Sequence, residues 1–277
     1  MTFSETLRRS FRVSCLQVNA GSDWRKNLDR ILLQAEGAFR QKADLIALPE
    51  TFYWRGDKGC LPAIAREVTP LVLREFKTLA SRRRIPILLG SVLECTSKPD
   101  RFANASILIS DRGEIAARYR KIHLFDVALE TVKVRESESM VAGTRIVATK
   151  VRGIPIGLTI CYDLRFPELF RELSRRMVQI IFVPANFTYT TGRSHWEILL
   201  RARAIENQVF IVAPAQVGIH PATGIRSFGS SMVVDPWGKV LARGGRVREE
   251  IVTADLDFRE LAKIRRSLPA LKHRRLQ

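Results

Sequence analysis

From residue 11 onward the chain alternates between short apolar runs and longer stretches in which apolar side chains return every three or four positions. The run "FRVSCLQV" at 11–18 has the length and composition of a strand. Behind it, Asp23 precedes Trp24, Leu28, Ile31, Leu32, Ala35 and Phe39, a spacing that predicts a capped helix with one apolar face. "ADLIALPE" reads as a short buried strand stopped at Pro49, which has no N–H to give a ladder. Thr69-Pro70 opens a second helix with Leu73, Phe76 and Leu79 on one side, and "IPILLGSVL" is the next strand. "NASILIS", the turn "DRGE" and "IAARYRK" predict a hairpin, and 122–144 reads as a loop. Strands follow near 145–151 and 154–160, then a helix starting at Pro167-Glu168 and the strand "VQIIFVP". A helix over about 194–207 leads to the strand "VFIVAPAQ". "SMVVDPWGKVLAR" predicts a second hairpin turning at Asp235-Pro236-Trp237-Gly238. Asp257 and Glu260 suit a capping box on a final helix.

Helices and strands alternate throughout, with no linker, repeat or low-complexity tract between them. The pattern predicts one α/β domain over 1–277, its mixed sheets face to face and covered by helices. With 277 residues, 46% of them hydrophobic, the chain is long enough for a sizeable core. No apolar run reaches the roughly 20 residues of a membrane helix. The start, "MTFSETLRRSFRVSCLQVN", passes from a basic patch into a strand without the apolar stretch of a signal peptide. Cys15, Cys60, Cys95 and Cys161 lack metal spacing, and with no export signal a reducing cytoplasm is expected; no His cluster offers a metal site, and no metal or organic cofactor is expected. The formal charge of +18 raises nucleic acid as a partner. Its sources are scattered, however: "RRSFR" at 8–12, "RRR" at 82–84, "RR" at 175–176, "RGGRVR" at 243–248 and "KHRR" at 272–275. None alternates with stacking aromatics, so a solvated basic surface is expected, with no specific nucleic acid and no membrane as partner. A basic nucleic-acid-associated protein is the distant alternative.

Three polar residues interrupt the apolar pattern at strand ends. Cys161 closes "GLTI" immediately before "YDLRFPEL". A thiol at such a strand-to-helix corner meets free backbone N–H groups and a positive dipole end, which favour thiolate. The other reading is a small buried hydrophobe. Glu50 follows the strand stopped by Pro49, and Lys121 ends a hairpin strand; each alone is a solvated charge at a strand end. Together, at the carboxyl ends where open α/β sheets place ligands, they take on other roles. A carboxylate can accept the thiol proton, and an ammonium can lower the thiol pKa and stabilise an oxyanion. Glu, Lys and Cys in one place make an acyl-transfer centre.

"LPETF", "YRKIHLFD" and "ICYDLRFPE" resemble, in order and separation, the three catalytic motifs of the nitrilase (carbon–nitrogen hydrolase) superfamily, over roughly residues 11–275. The resemblance implies a four-layer α-β-β-α sandwich and a catalytic triad of Glu50, Lys121 and Cys161. It further implies a second acid in "RESESMVAG", taken as Glu136, with Glu138 and Glu130 nearby. "CYDLRFPEL", "NFTYTTGRSHWEILLRARAIENQVF" and "MVVDPWGKV" resemble the Nit branch, which contains omega-amidases and amidases of deaminated glutathione. That implies ping-pong hydrolysis of a small carboxylate-bearing amide, water and the amide being the partners. Nitrilase or N-carbamoyl hydrolase chemistry on the same triad is the alternative. Tyr162 would offer its backbone N–H to an oxyanion, and Arg165 would bind a substrate carboxylate or pair with Glu168 or Asp163. Phe125, Phe187 and Thr191 lie in motifs near the site, the phenylalanines equally suited to core packing. One departure stands out: Gly229-Ser230-Ser231 replaces a common Gly-His-Ser. The family also implies a homodimer or higher homo-oligomer through the 167–177 and 194–207 segments.

Overall fold

The structure is a computed structural model that describes residues 10–129 and 132–276. Strands Ser10–Gln17 (β1), Leu45–Ala47 (β2), Ile87–Cys95 (β3), Phe102–Ile109 (β4) and Ile115–Arg120 (β5) belong to one sheet. A hairpin of Asp126–Leu129 (β6) and Val132–Arg135 (β7) stands apart from it. Ala148–Val151 (β8), Ile154–Leu158 (β9), Ile180–Phe182 (β10), Phe210–Ala213 (β11), Met232–Val234 (β12) and Val240–Arg243 (β13) form a second sheet. Glu250–Asp257 (β14) returns to the first. The strand orders are β14-β1-β2-β3-β4-β5 and β13-β12-β11-β10-β9-β8. Each sheet has a three-stranded parallel centre, β1-β2-β3 and β9-β10-β11, flanked by antiparallel strands.

The period of two decides which face of β1 and β2 looks where. Phe11, Val13, Cys15, Leu45 and Ala47 share a core with Ile156, Leu158, Phe182 and Val212 of the opposite sheet. The alternate residues Leu16, Ile46 and Leu48 meet Leu28, Ile31 and Ala35 of the Trp24–Arg40 helix and Val72 and Phe76 of the Thr69–Arg83 helix. Leu169, Phe170 and Leu173 of the Pro167–Arg175 helix, with Leu200 and Ala204 of the Glu197–Asn207 helix, join the inter-sheet core cluster. The order helix, sheet, sheet, helix is the expected four-layer sandwich. Asp23 caps the first helix as its position requires, accepting from the N–H groups of Arg25 and Lys26.

The sequence pattern misled in four places. The 122–144 loop contains the β6/β7 hairpin and a single 3₁₀ turn at Glu136–Glu138. Strand β14 went unanticipated, although "EIVTADLD" alternates buried residues with half-buried or exposed ones from Val252 onward once it lies beside β1. The helix expected from about 194 begins at Glu197, after a wide π-type turn at Gly192–Trp196. The capping box is half made: Asp257 accepts from the Arg259 N–H, while the Glu260 side chain pairs with Lys263. Among the described residues, no helix is long and apolar enough to cross a membrane.

Candidate active site

Glu50, Lys121 and Cys161 come from three separate strand ends and converge in one buried cluster. Pro49 ends β2, and Glu50 enters a turn whose next residue, Thr51, has φ +52. The turn is held by Ser91 Oγ, which accepts from the Thr51 N–H at 3.0 Å, and by the Gln216 amide, which donates to the Glu50 and Thr51 carbonyls. Gly90 is what lets β3 lie against this turn: a Cβ there would sit 1.9 Å from the Leu48 carbonyl oxygen. Lys121 continues β5, its N–H donating to the Asn104 carbonyl and its carbonyl accepting from Gly143. Gly143 packs so closely that a Cβ would lie 2.2 Å from the Arg120 carbonyl oxygen. Cys161 follows β9 and adopts φ +50, a left-handed conformation costly for a residue with a Cβ. Its N–H donates to the Pro184 carbonyl, and a 3₁₀ turn over Cys161–Arg165 carries the chain to the Pro167 helix.

The charged groups form a chain. Lys121 Nζ donates to Glu50 Oε1 at 2.9 Å and to Glu136 Oε2 at 2.8 Å. Asn104 Nδ2 bridges the two acids, at 3.0 Å from Glu50 Oε1 and 3.1 Å from Glu136 Oε1. Glu136 also accepts from the Phe125 N–H at 2.7 Å, and Glu50 Oε2 accepts from the Asn186 N–H at 2.9 Å. Burial alone would lower the Lys121 pKa, but the charges of Glu136, Glu50 and Cys161 outweigh it and hold the ammonium well above its ordinary value. The Cys161 thiol lies beside the Glu50 carboxylate and the Asn186 N–H. Burial first, then the charge of Glu50, pushes its pKa well up; Lys121 and Asn186 only partly offset this. The expectation that the corner favours thiolate is therefore overturned: the thiol rests protonated beside a base.

The second acid at Lys121 is Glu136. Glu138 instead pairs with Lys58 at 3.0 Å, and Glu130 lies outside the described residues. Above the cluster opens a cavity of about 680 Å³ whose lining includes Trp54, Phe125, Tyr162, Arg165, Phe187 and Thr191. Among the described residues, no backbone carbonyl accepts from the Tyr162 N–H. Arg165 pairs with neither Glu168 nor Asp163; its guanidinium lies over the rings of Tyr162 and Phe187, at 5.8 and 5.5 Å, and meets His195 Nδ1 at 3.3 Å. Phe125 packs edge-on against Tyr162, while Phe187 packs against Trp196 and so lies both in the core and in the cavity wall. The Thr191 hydroxyl meets Thr188 Oγ1 at 2.9 Å. Ser230, where a histidine is common, is buried, and its carbonyl accepts from Trp196 Nε1. No group of three or more His, Cys, Asp or Glu side chains suited to a metal occurs among the described residues.

Sequence reasoning passed over several partners. Asp163 is fully buried and accepts from Tyr119 Oη, His123 N and Ile160 N, with His123 Nδ1 2.7 Å away. It thereby ties the cysteine turn to the lysine strand. Asn104 carried a signal, a polar side chain inside the apolar run "NASILIS". Asn186 works through its backbone, which leaves none.

Comparison with known proteins bears on this geometry. A model of the family described as carbon-nitrogen hydrolase matches residues 12–266. The nitrilase and fragile histidine triad fusion protein NitFhit of Drosophila melanogaster is 37% identical over 279 residues, which take in 99% of this chain and 60% of that protein. The deaminated glutathione amidase of Synechocystis sp. (strain PCC 6803 / GT-S) is 35% identical over 271 residues, 96% of this chain and 98% of that one. The omega-amidase NIT2 of Mus musculus is 32% identical over 267 residues, 96% of this chain and 95% of that one. Among solved structures, the C. elegans NitFhit protein matches with a TM-score of 0.89 at 34% identity, covering 96% of this chain and 65% of that chain. This chain thus spans less than two thirds of either fusion protein.

Proposed function

The chain belongs to the carbon–nitrogen hydrolase family, and we propose that it acts on amides, hydrolysing a small carboxylate-bearing one through a thioester on Cys161. The observation that carries this reading is the meeting of a thiol, a carboxylate and an ammonium in one buried pocket. Glu50 takes the proton from Cys161 as the sulfur attacks the amide carbon. Moving that proton leaves the net charge of the cluster unchanged, which keeps the step feasible away from water. Lys121 gives two of its three N–H bonds to Glu50 and Glu136, so one remains for the oxyanion, beside the Tyr162 N–H. Collapse of the tetrahedral intermediate breaks the C–N bond, and Glu50 returns its proton to the departing nitrogen as ammonia. Water then gives a proton to Glu50 and its oxygen to the thioester carbon. Collapse of this second intermediate expels the thiolate, which Glu50 reprotonates. Glu136 orients Lys121 throughout.

Arg165 supports the carboxylate in the substrate. It faces the cavity over two rings with no acidic partner among the described residues, and a guanidinium matches a carboxylate bidentately. The relatives called deaminated glutathione amidase and omega-amidase bear names in line with such a substrate. The test is ammonia release from a panel of omega-amides, nitriles and N-carbamoyl compounds, with intact mass of the enzyme after substrate addition. An omega-amide preference and an acyl mass on Cys161 alone are expected. A nitrile or carbamoyl preference would reassign the substrate; an adduct on another cysteine would remove the mechanism.

Homodimerisation belongs to the same proposal. Met177, Ile198 and Ile205, on or beside the two helices, are 60%, 69% and 48% exposed, an apolar surface of the kind a second copy covers. Light scattering at micromolar concentration would refute it by finding only a 31.5 kDa particle. A cytoplasmic setting accords with four free thiols and is tested by cell fractionation.

A further inference from the structure

One buried cation takes no part in the chemistry above. Arg55 is 2% exposed and lies at the cavity wall. Its guanidinium donates to the Ala20 carbonyl at 2.7 Å, Ser227 Oγ at 2.7 Å, Asn19 Oδ1 at 2.8 Å and the Val217 carbonyl at 3.1 Å. All four acceptors are neutral, and no carboxylate pairs with Arg55 among the described residues. Burial pulls its pKa down to about 10, which leaves it charged at neutral pH. An ion buried among neutral acceptors is costly, so a role that requires the guanidinium fork is to be sought.

Ser227 supplies that role. A hydroxyl has one proton, and Arg55 can only donate. By occupying a lone pair of Ser227 Oγ, Arg55 leaves the serine proton to be donated onward, and it goes to Asn186 Oδ1 at 2.7 Å. Asn186 is the residue whose backbone N–H donates to Glu50 Oε2, beside the sulfur of Cys161. The hydrogen bonds therefore run from Arg55 through Ser227 and Asn186 to the base beside the thiol. They join residues from four distant parts of the chain.

We propose that Arg55 is a positioning residue: through the Ser227 hydroxyl it holds Asn186 where its N–H donates to Glu50 beside the Cys161 sulfur. The inference rests on the reading of Cys161 as nucleophile. It differs from a substrate contact, which the place of Arg55 in the cavity wall would also allow, and from simple packing.

The experiment compares Ser227→Ala, Arg55→Met and the double variant with wild type. It measures kcat and KM on the best amide of the panel, and the rate at which iodoacetamide modifies Cys161 in the resting enzyme, read on that cysteine by mass spectrometry. Displacing the N–H that stands beside the sulfur disfavours thiolate, so alkylation and turnover should slow together, each by about tenfold, with KM within about twofold. The double variant should be no worse than the more impaired single variant, because both break one path. Wild-type kcat and alkylation in Ser227→Ala would overturn the inference. So would a raised KM at unchanged kcat, or singles whose effects multiply. If Arg55→Met does not fold, Ser227→Ala decides alone, since it removes one oxygen and leaves three of the bonds of Arg55 in place. An acyl adduct missing from wild-type Cys161 would refute the nucleophile reading itself, so the two failures look different.

Discussion

Two cysteines lie buried in the same inter-sheet core, and the surroundings of Cys15 and Cys161 separate an inert thiol from a candidate nucleophile. Cys15 sits within β1, paired with Ala47 on one side and Val252 on the other. Burial pushes its pKa strongly up, opposed only by a hydrogen bond to the Ala213 backbone. Burial pushes the Cys161 pKa up as well, and the charge of Glu50 adds to it. A displaced thiol pKa therefore marks neither residue as reactive. What distinguishes Cys161 is a carboxylate beside it, an ammonium paired with that carboxylate, a left-handed backbone and a cavity in front of the sulfur. Both thiols are neutral at rest; only one has somewhere to send its proton.

The largest effect that would break the contrast is on turnover. Cys161→Ala should lower kcat by about 10⁴-fold or more with the fold retained, while Cys15→Ala leaves kcat unchanged. Equal losses in steady-state assays, with matched circular dichroism, would erase the distinction. Glu50→Gln should cut kcat by roughly 10²- to 10⁴-fold, the usual worth of a positioned base. It should also make the resting thiol react faster with iodoacetamide at neutral pH, because the charge that raises the Cys161 pKa is gone. Slower alkylation in that variant would contradict the electrostatics described here. Arg165→Lys should cost about 2–3 kcal/mol, roughly 30- to 150-fold in kcat/KM, on a carboxylate-bearing amide, mostly through KM. A neutral amide should be spared; equal loss on both would make Arg165 structural.

The smallest effect returns to Cys15 and to pH. Its folded pKa lies above the unfolded value, so above about pH 8.5 the unfolded chain releases a proton that the folded one retains. Stability from this thiol is thus complete below that pH and falls as pH rises, by up to about 1.4 kcal/mol per unit. Urea midpoints between pH 8 and 10.5 should decline less steeply in Cys15→Ala than in wild type. Parallel curves would mean that Cys15 is not held neutral by its burial.

The sequence made the three catalytic candidates legible because each interrupts an apolar strand end with a polar side chain of distinct chemistry. Buried strands and capped helices were legible for a similar local reason, as with Asp23 ahead of Trp24. Strand β14 escaped notice because its inward residues, Val252, Ala254 and Leu256, are interleaved with charges that suggest a loop until β1 is beside them. The β6/β7 hairpin has strands of only four residues and lies outside both sheets, too short for its alternation to stand out. The direction of the Cys161 pKa was misread for a different reason. Backbone N–H groups at the corner are visible locally, whereas the burial and the Glu50 charge that outweigh them arise only when residues 111 positions apart come together. Arg55 lies 172 positions from Ser227, beyond the reach of any local pattern.

The pairing of β1 with β14 has a consequence for how the molecule is made. Ser10 lies opposite Asp257, so the first described strand finds its outer neighbour only after the long stretch between them has left the ribosome. Until then β1 presents a row of unsatisfied backbone groups along one side while β2 and β3 assemble on the other. Contacts of such long sequence separation form slowly, because a large loop must close before they are rewarded. The nascent chain can acquire the helices and the parallel centre of each sheet during synthesis. The first sheet, which carries the acid and the lysine, closes last, and chaperones would meet this protein as an open edge awaiting its final strand.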